Sequence, residues 1–341
     1  MFYVTIDCGT TNSRIYIVNK EGEVIAKASK NIGVRDTAVN GSNEILKKGI
    51  NDLFREVIES SHISPGDIKV VLSSGMITSE LGLVEIPHLW APCGISELAS
   101  HLWKEANNTI FMRGLPFYLV PGIKNRFNPN TISSNSVGDL DFMRGEETQV
   151  VGILKLHLAS PPLLIVILSS HTKFISVDAE GSITGSITTM SGQLYDAIIN
   201  HTFVGKSVSN DGENALKEYF SESVIDNAVR WINTSGLVRS LMFPRFMDVL
   251  MDTKWYERKL FVDALIAAED LKVIPQLSRI GTSKESSVIL VGDPARCKIY
   301  DYLLRQSFSD SRTFIHVTDT KEIDNLSIQG ILGIAVKAGI L

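Results

Sequence analysis

The sequence predicts an α/β protein made of two related halves, and three observations carry that prediction. At 341 residues the chain is long for one core, which makes two domains the default. Period-2 apolar runs alternate with stretches of helical spacing and with Gly, Asn and Ser turns. The opening segment FYVTIDCGTTNSRIYIVNKEGEVIAK is also echoed, without a gap and at a lag of 159, by LLIVILSSHTKFISVDAEGSITGS beginning at Leu163. Ile6 falls on Ile165, Thr10 and Thr11 on Ser169 and Ser170, Arg14 on Lys173, Glu21-Gly22 on Glu180-Gly181. Hydroxyls matching hydroxyls and a cation matching a cation favour two related halves facing one cleft.

Each echoed segment reads as strand, polar turn, strand, Gly-containing turn, strand. The first alternation runs through Ile15, Ile17 and Val24, and the second through Phe174, Ser176 and Ile183. In the first half, SNEILKKGINDLFREVIESSHI has apolar residues at helical spacing, with Ser42 or Asn43 placed to cap it. SPGD then turns into a strand, IKVVLSSG, and Val150, Val151, Ile153 and Leu154 mark a helix opening at Gly145 to Thr148. The Asn/Ser-rich stretch 122–140 reads as a mobile loop over the cleft. In the second half, Leu194 to Phe203 and Val224 to Ile232 read as helices. SSVILVGDPARCKIYDYLLRQSF reads as strand, turn and helix, and Leu326 to Ile340 as a closing helix. The expected domains are residues 1–158 and 159–341.

Composition excludes some functions. Hydrophobic content of 44% and charged content of 21% are globular values, and the formal net charge is −5 with no long run of one sign. Neither nucleic acid nor an anionic membrane is the expected partner of such a chain. Cys8, Cys93 and Cys297 are too widely spaced for a metal motif or a disulfide framework. The start MFYVTIDCG lacks the basic and apolar stretches of a signal peptide. The longest strongly apolar run, Leu163 to Leu168, is far short of the ~20 residues of a membrane helix. A cytoplasmic protein is expected.

Five stretches carry candidate chemistry. In DCGTTNSR, Asp7 ends a strand and Gly9, Thr10, Thr11 and Asn12 form one turn before Arg14. Such a turn is either a polar hairpin with a solvated Asp, or a nest of N–H groups and hydroxyls that holds phosphate, with Asp7 reaching a bound Mg²⁺ through water. The echoed turn, Ser169, Ser170, His171, Thr172 and Lys173, suits the other side of a polyphosphate, or is a surface turn. In DFMRGEETQ, the carboxylates of Glu146 and Glu147 either complement a helix N-terminus or supply a general base for a substrate hydroxyl attacking a γ-phosphorus. Arg144 beside them has the fork to hold a substrate carboxylate. SSGMITSELGLVEIPHL, with Gly75 and Met76, either walls a substrate pocket or packs the core. VGDPARCKIYDYLL, with Gly292, stacks an adenine or is an ordinary βα unit. There is no GxxxxGK[ST] loop and no GxGxxG after the first strand, which disfavours a P-loop kinase and a dinucleotide fold.

The segments IDCGTTNSR, GMITSELGLVEIP, VPG, MRGEETQVVG, HTKFISV and TTMSGQLYDAIINHTFV, in order from about Ile6 to Val204, closely resemble 2-dehydro-3-deoxygalactonokinases. These are enzymes of the sugar-kinase, actin and heat-shock chaperone ATPase superfamily. The resemblance implies two actin-like (ribonuclease H-like) ATPase domains flanking an ATP and substrate cleft. The first would bring a phosphate loop, the substrate wall and the catalytic Glu; the second would bring the other phosphate loop and the adenosine region. It implies ATP-dependent phosphorylation of 2-dehydro-3-deoxy-D-galactonate, or a close 2-keto-3-deoxy sugar acid, at the 6-hydroxyl in galactonate catabolism. Mg²⁺ and ATP are the implied cofactors, with Asp7 serving the metal. Glu146 is the implied base, with Glu147 the alternative. The sugar acid would meet Arg144, Gly75 and Met76; the sugar acid is the expected partner, and a homodimer is one possibility. This chain departs from the family at Cys8, where a Trp is usual, and at Ser169, where a Gly is usual. It departs again at Leu83 and His88, where Trp and Tyr are common. A nucleotide- or sugar-acid-binding sensor and a phosphatase on the same scaffold are the rival readings.

Overall fold

The computed structural model describes residues 1–106, 110–111, 114–209, 219–308 and 312–341, and the chain divides into two units. One comprises Met1–Pro162, Val177–Ser186 and Thr320–Leu341; the other comprises Leu163–Ser176 and Ile187–Asp319. The path is therefore more interleaved than the single boundary expected between residues 158 and 159, because the C-terminal stretch returns to the first unit.

The first unit opens with β1 (Phe2–Cys8), β2 (Ser13–Asn19) and β3 (Val24–Lys30), followed by α1 (Val34–Asn40) and α2 (Glu44–Ser61). Next come β4 (Ile68–Gly75), β5 (Leu89–Trp90), α3 (Ile95–Ser100), β6 (Trp103–Lys104), β7 (Phe117–Leu119), β8 (Ile123–Lys124), β9 (Phe142–Met143) and α4 (Glu146–Lys155). Its main sheet has the order β3-β2-β1-β4-β7-β6. The first three strands form an antiparallel meander, and β4 and β7 continue the sheet in parallel. β1 lies inside the sheet with Val4, Ile6 and Cys8 almost fully buried, whereas the edge strand β3 exposes Lys27 and Lys30, charges that discourage edge pairing. On α2 the residues Leu46, Ile50, Leu53, Phe54 and Val57 form the buried stripe expected from their spacing.

The second sheet begins with β10 (Leu163–Leu168), β11 (Thr172–Val177) and β12 (Ile183–Thr189), the last divided between the units after Ser186, and α5 (Ser191–His201) and α6 (Phe203–Val208) follow in the second unit. It continues through α7 (Glu222–Ser240), α8 (Phe243–Leu250), α9 (Trp255–Asp270), β13 (Ser287–Gly292), α10 (Pro294–Phe308) and β14 (Phe314–Val317). The sheet order is β12-β11-β10-β13-β14, with β10, β13 and β14 parallel. Both sheets thus run third, second, first, fourth in their own strand order, the actin-like arrangement expected; β7 and then β6 follow in the first, and β14 follows in the second. All six residues of β10 are buried, as a central strand covered on both faces requires. Helix α9, which the sequence reading passes over, buries residues on several faces and lacks a clean amphipathic stripe.

Helix α11 (Thr320–Lys337) closes the first unit against α4. A Cβ at Gly330 would lie 1.7 Å from the Thr148 carbonyl oxygen, and one at Gly152 would lie 2.0 Å from that of Leu326. The two helix backbones touch at glycines, and this contact fixes the start of α4. The stretch 122–140, expected as a mobile loop, is instead anchored. It contains β8 and a 3₁₀ turn over Ser134–Asp139, and the buried Asn125 amide donates to Asp139 and Ser186 carbonyls and accepts from the Ser186 N–H. Its polar composition misleads because one polar side chain satisfies three backbone groups.

Candidate active site

The first polar turn links β1 to β2, whose register sets Asp7 opposite Arg14 and Cys8 opposite Ser13. Arg14 donates to Asp7 Oδ2 at 3.2 Å, and both side chains keep about a third or more of their surface exposed. The Gly9 N–H bonds the Asn12 carbonyl at 2.8 Å and closes the turn. Thr11 and Asn12 are exposed, and Thr10 is half-buried. Burial raises the Asp7 carboxyl above its usual range; Arg14 opposes the shift, while Asp324 and Glu146 add to it. Cys8 is fully buried in the core beneath the turn, and burial pushes its thiol up to about 12.

The end of β4 lies beside the end of β1, with Gly75 in register with Cys8. Gly75 has φ +89°, and a Cβ there would fall 2.5 Å from the Cys8 carbonyl oxygen, so only glycine fits. Gly145, at φ +111°, crosses above it, its ideal Cβ position 3.3 Å from the Gly75 Cα. The Gly145-Glu146 step is thereby laid over the strand ends that carry Asp7. Met76 opens a 3₁₀ turn whose Thr78 hydroxyl donates to the Gly75 carbonyl and accepts from Arg144 at 2.7 Å. Arg144 also donates to the Ile86 carbonyl at 2.7 Å and lies 3.4 Å from His88 Nδ1. Its terminal nitrogens are engaged in holding the 76–88 wall.

Glu146 and Glu147 separate sharply. Glu147 is fully buried, and its two carboxyl oxygens accept the Gly145 N–H at 2.9 and 2.8 Å. Burial, with Glu146 alongside, pushes its carboxyl up to about 8 despite that bond, so Glu147 is mostly protonated at neutral pH. Glu146 is half-buried, and its Oε2 makes no hydrogen bond among the described residues.

In the second unit the echoed turn links β10 to β11. Ser169, Ser170 and His171 form its outer part, with the Ser169 hydroxyl folded back onto the His171 carbonyl at 3.0 Å. The Ser169 side chain is thus turned into its own loop. Thr172 and Lys173 belong to β11 and are buried: Thr172 shares a hydrogen bond with Ser191 at 2.7 Å, and Lys173 donates to Thr188 at 2.7 Å. Lys173 therefore points into the unit, unlike its counterpart Arg14. Gly292 ends β13 beside Leu168. Behind it Arg296, unnoticed in the sequence, donates to the Ser169 carbonyl and the Thr172 hydroxyl, both at 3.2 Å. Arg296, Asp293, Tyr195, Lys259, Asp263 and Tyr300 help line a cavity of about 210 Å³. Lys259 and Asp263, which the sequence reading misses along with α9, pair at 2.6 Å one turn apart on that helix, an i,i+4 spacing.

Two sheets of this order, each with a polar hairpin between its first two strands, define a protein of the actin-like ATPase fold. Residues 7–323 match the 2-keto-3-deoxy-galactonokinase family, and the chain belongs to that family of carbohydrate kinases. A 2-dehydro-3-deoxygalactonokinase of Escherichia coli (strain K12) is 24% identical over 254 residues, 74% of this chain and 70% of that one. A Rhizobium meliloti (strain 1021) protein assigned the same activity is 24% identical over 242 residues, 71% of this chain and 70% of that one. The fold is shared with the crystal structure of a Sinorhizobium meliloti protein assigned as a 2-dehydro-3-deoxygalactonokinase, at a TM-score of 0.69, 22% identity and 98% coverage of both chains.

Proposed function

We propose that this kinase transfers the γ-phosphoryl group of ATP to the 6-hydroxyl of 2-dehydro-3-deoxy-D-galactonate, or of a close 2-keto-3-deoxy sugar acid, in the cytoplasm as a step of galactonate catabolism. The observation that carries the reading is the placement of Glu146, with an unpartnered buried oxygen, on a glycine step laid over the strand ends that bear Asp7. The curated names of the two relatives supply the substrate class. Three free, buried cysteines accord with a reducing compartment.

The first hairpin would receive phosphate oxygens on its N–H groups and hydroxyls at Thr10, Thr11 and Asn12, with Gly9 leaving room for close approach and Arg14 adding positive charge. The donor set fits Mg²⁺, which takes one or two carboxylates and completes its shell with water and phosphate. Asp7 is partly exposed and pressed by two other carboxylates, and no cage of three or more ligating side chains exists among the described residues. When bound, Mg²⁺ would neutralise the phosphate oxygens. Ser169, Ser170 and His171 would hold phosphate in the second unit, and the cavity beside Gly292 would take the adenosine. The half-buried Glu146 carboxylate would accept the proton of the 6-hydroxyl as that oxygen bonds to the γ-phosphorus and ADP departs. Glu147, neutral and spent on Gly145, would hold the step in place. Gly75 and Met76 would wall the sugar acid, and Arg144 would brace that wall, reaching the substrate carboxylate only by exchanging one of its present partners.

The test is ADP release from Mg·ATP with and without the sugar acid, beside Glu146→Gln. Sugar-acid-dependent ADP that falls about 10²–10⁴-fold in the variant, with ATP binding kept, is expected. Phosphate release that ignores the sugar acid, or full activity in Glu146→Gln, overturns the reading.

A further inference from the structure

Both hairpins rest on a glycine at the start of the next helix. Gly33 immediately precedes α1, and a Cβ on it would lie 2.4 Å from the Thr10 carbonyl oxygen and 2.6 Å from that of Gly9. Its φ of −163° is ordinary extended backbone, so the requirement is for space and not for conformation. The N–H groups of Val34 and Arg35 then donate to the Gly9 and Thr10 carbonyls at 3.3 and 2.9 Å, and Asp36 caps the Gly33 N–H at 2.9 Å. In the second unit Gly192, in the first turn of α5, would place a Cβ 2.1 Å from the Ser169 carbonyl oxygen and 2.8 Å from that of Ser170. The Gln193 N–H donates to the Ser170 carbonyl at 2.8 Å, and Ser191 bonds Thr172 at 2.7 Å. Gly33 and Gly192 are separated by the same 159 residues as Thr10 and Ser169.

We infer that Gly33 and Gly192 are positioning residues for nucleotide phosphate. Each lets a helix start seat directly beneath a hairpin and take up its carbonyl oxygens. With the carbonyls fixed on that side, the N–H groups and hydroxyls of the turn are presented on the other, which is what anion binding needs. The same contact is made twice, on two sheets and at matching positions, so it is a property of the hairpin and not of one local sequence. This inference rests on the reading of the hairpins as nucleotide-phosphate grips.

The experiment measures the Kd of Mg·AMP-PNP, the KM for ATP and the KM for the sugar acid. Gly33→Ala and Gly192→Ala are each expected to raise the nucleotide Kd and the ATP KM about tenfold while the sugar-acid KM stays within about twofold. Asp36→Ala and Ser191→Ala loosen the same seats without adding an atom, and a rise of about threefold in nucleotide Kd is expected. If the glycine variants do not fold, these two decide. Unchanged nucleotide binding in the folded brace variants, or equal losses for both substrates, overturns the inference. A Thr10→Ala, Thr11→Ala double variant separates the two readings. If it loses nucleotide while the brace variants do not, the brace alone fails; if it too binds normally, the hairpin is not a nucleotide grip.

Discussion

Of the two carboxylates that open α4, Glu147 is sealed from solvent and bonded to Gly145, while Glu146 keeps a buried oxygen without a partner. A base needs access and an acceptor lone pair, and half-buried Glu146 offers both where sealed Glu147 does not, which is the ground for proposing different roles for the two neighbours. Glu147→Gln should retain kcat within about tenfold, whereas Glu146→Gln loses far more; comparable losses in both would contradict this division. The two carboxyls also differ in what pH does to them. Glu147 has a folded pKa of about 8 against an ordinary 4.5, so between those values the folded chain holds a proton that the unfolded chain releases. Its contribution to stability is complete below pH 4.5 and declines as pH rises towards 8. Denaturant unfolding at pH 5 and pH 8 should therefore show Glu147→Gln gaining on the parent protein as pH increases. A difference that stays flat with pH would mean that Glu147 does not titrate in this range. DFMRGEETQ was legible as a candidate site because acid residues open its helix, but the choice between the two acids needed burial and partners.

The contact of α4 with α11 is the element on which the Gly145-Glu146 step depends. Gly152 and Gly330 allow the helix backbones to meet, although a glycine inside a helix costs about 0.5–1 kcal/mol relative to alanine. Gly330→Ala removes that cost and forces a Cβ onto the Thr148 carbonyl. Overpacking should win, with a loss of about 2 kcal/mol. A fall of about 4–8 °C in Tm should accompany it, together with reduced kcat as the start of α4 shifts. An alanine variant that melts at the parent temperature would show that the helices separate easily. Helical spacing revealed α2, α4 and α11, each of which has an apolar stripe or a marked start. It missed α9 because that helix is covered on several sides, and with α9 it missed Lys259 and Asp263 of the second-unit cavity.

At the scale of the molecule the repeat extends well beyond the meander. Each unit has a hairpin after its first strand, a glycine ending the parallel strand beside it, and a glycine beneath the hairpin: Gly75 and Gly33 in one, Gly292 and Gly192 in the other. The cations are where the units diverge. Arg14 stays on the surface with Asp7, while Lys173 turns inward to Thr188 and Arg296 takes its place beside the second hairpin. A ligand that binds only the folded chain stabilises it by about 2.7 kcal/mol at a hundred times its Kd. Mg·ATP at that excess should therefore raise Tm by several degrees, and Arg296→Ala should diminish the shift without lowering the unliganded Tm by more than about 2 °C. An undiminished shift would remove Arg296 from nucleotide binding.

The sequence alone determined the two-sheet α/β architecture, the repeat and the positions of both polar turns. Strand alternation, turn residues and a gapless lag are local signals that survive without any knowledge of packing. Only the tertiary structure decided which side chains of those turns face outward, which of two adjacent glutamates is free, and that Arg144 is held by Thr78 and the Ile86 carbonyl. It also decided that the C-terminal helix belongs with the first unit. These are matters of burial, charge environment and close backbone approach. Each depends on atoms brought together from distant parts of the chain, and no spacing along the sequence encodes the distance between them.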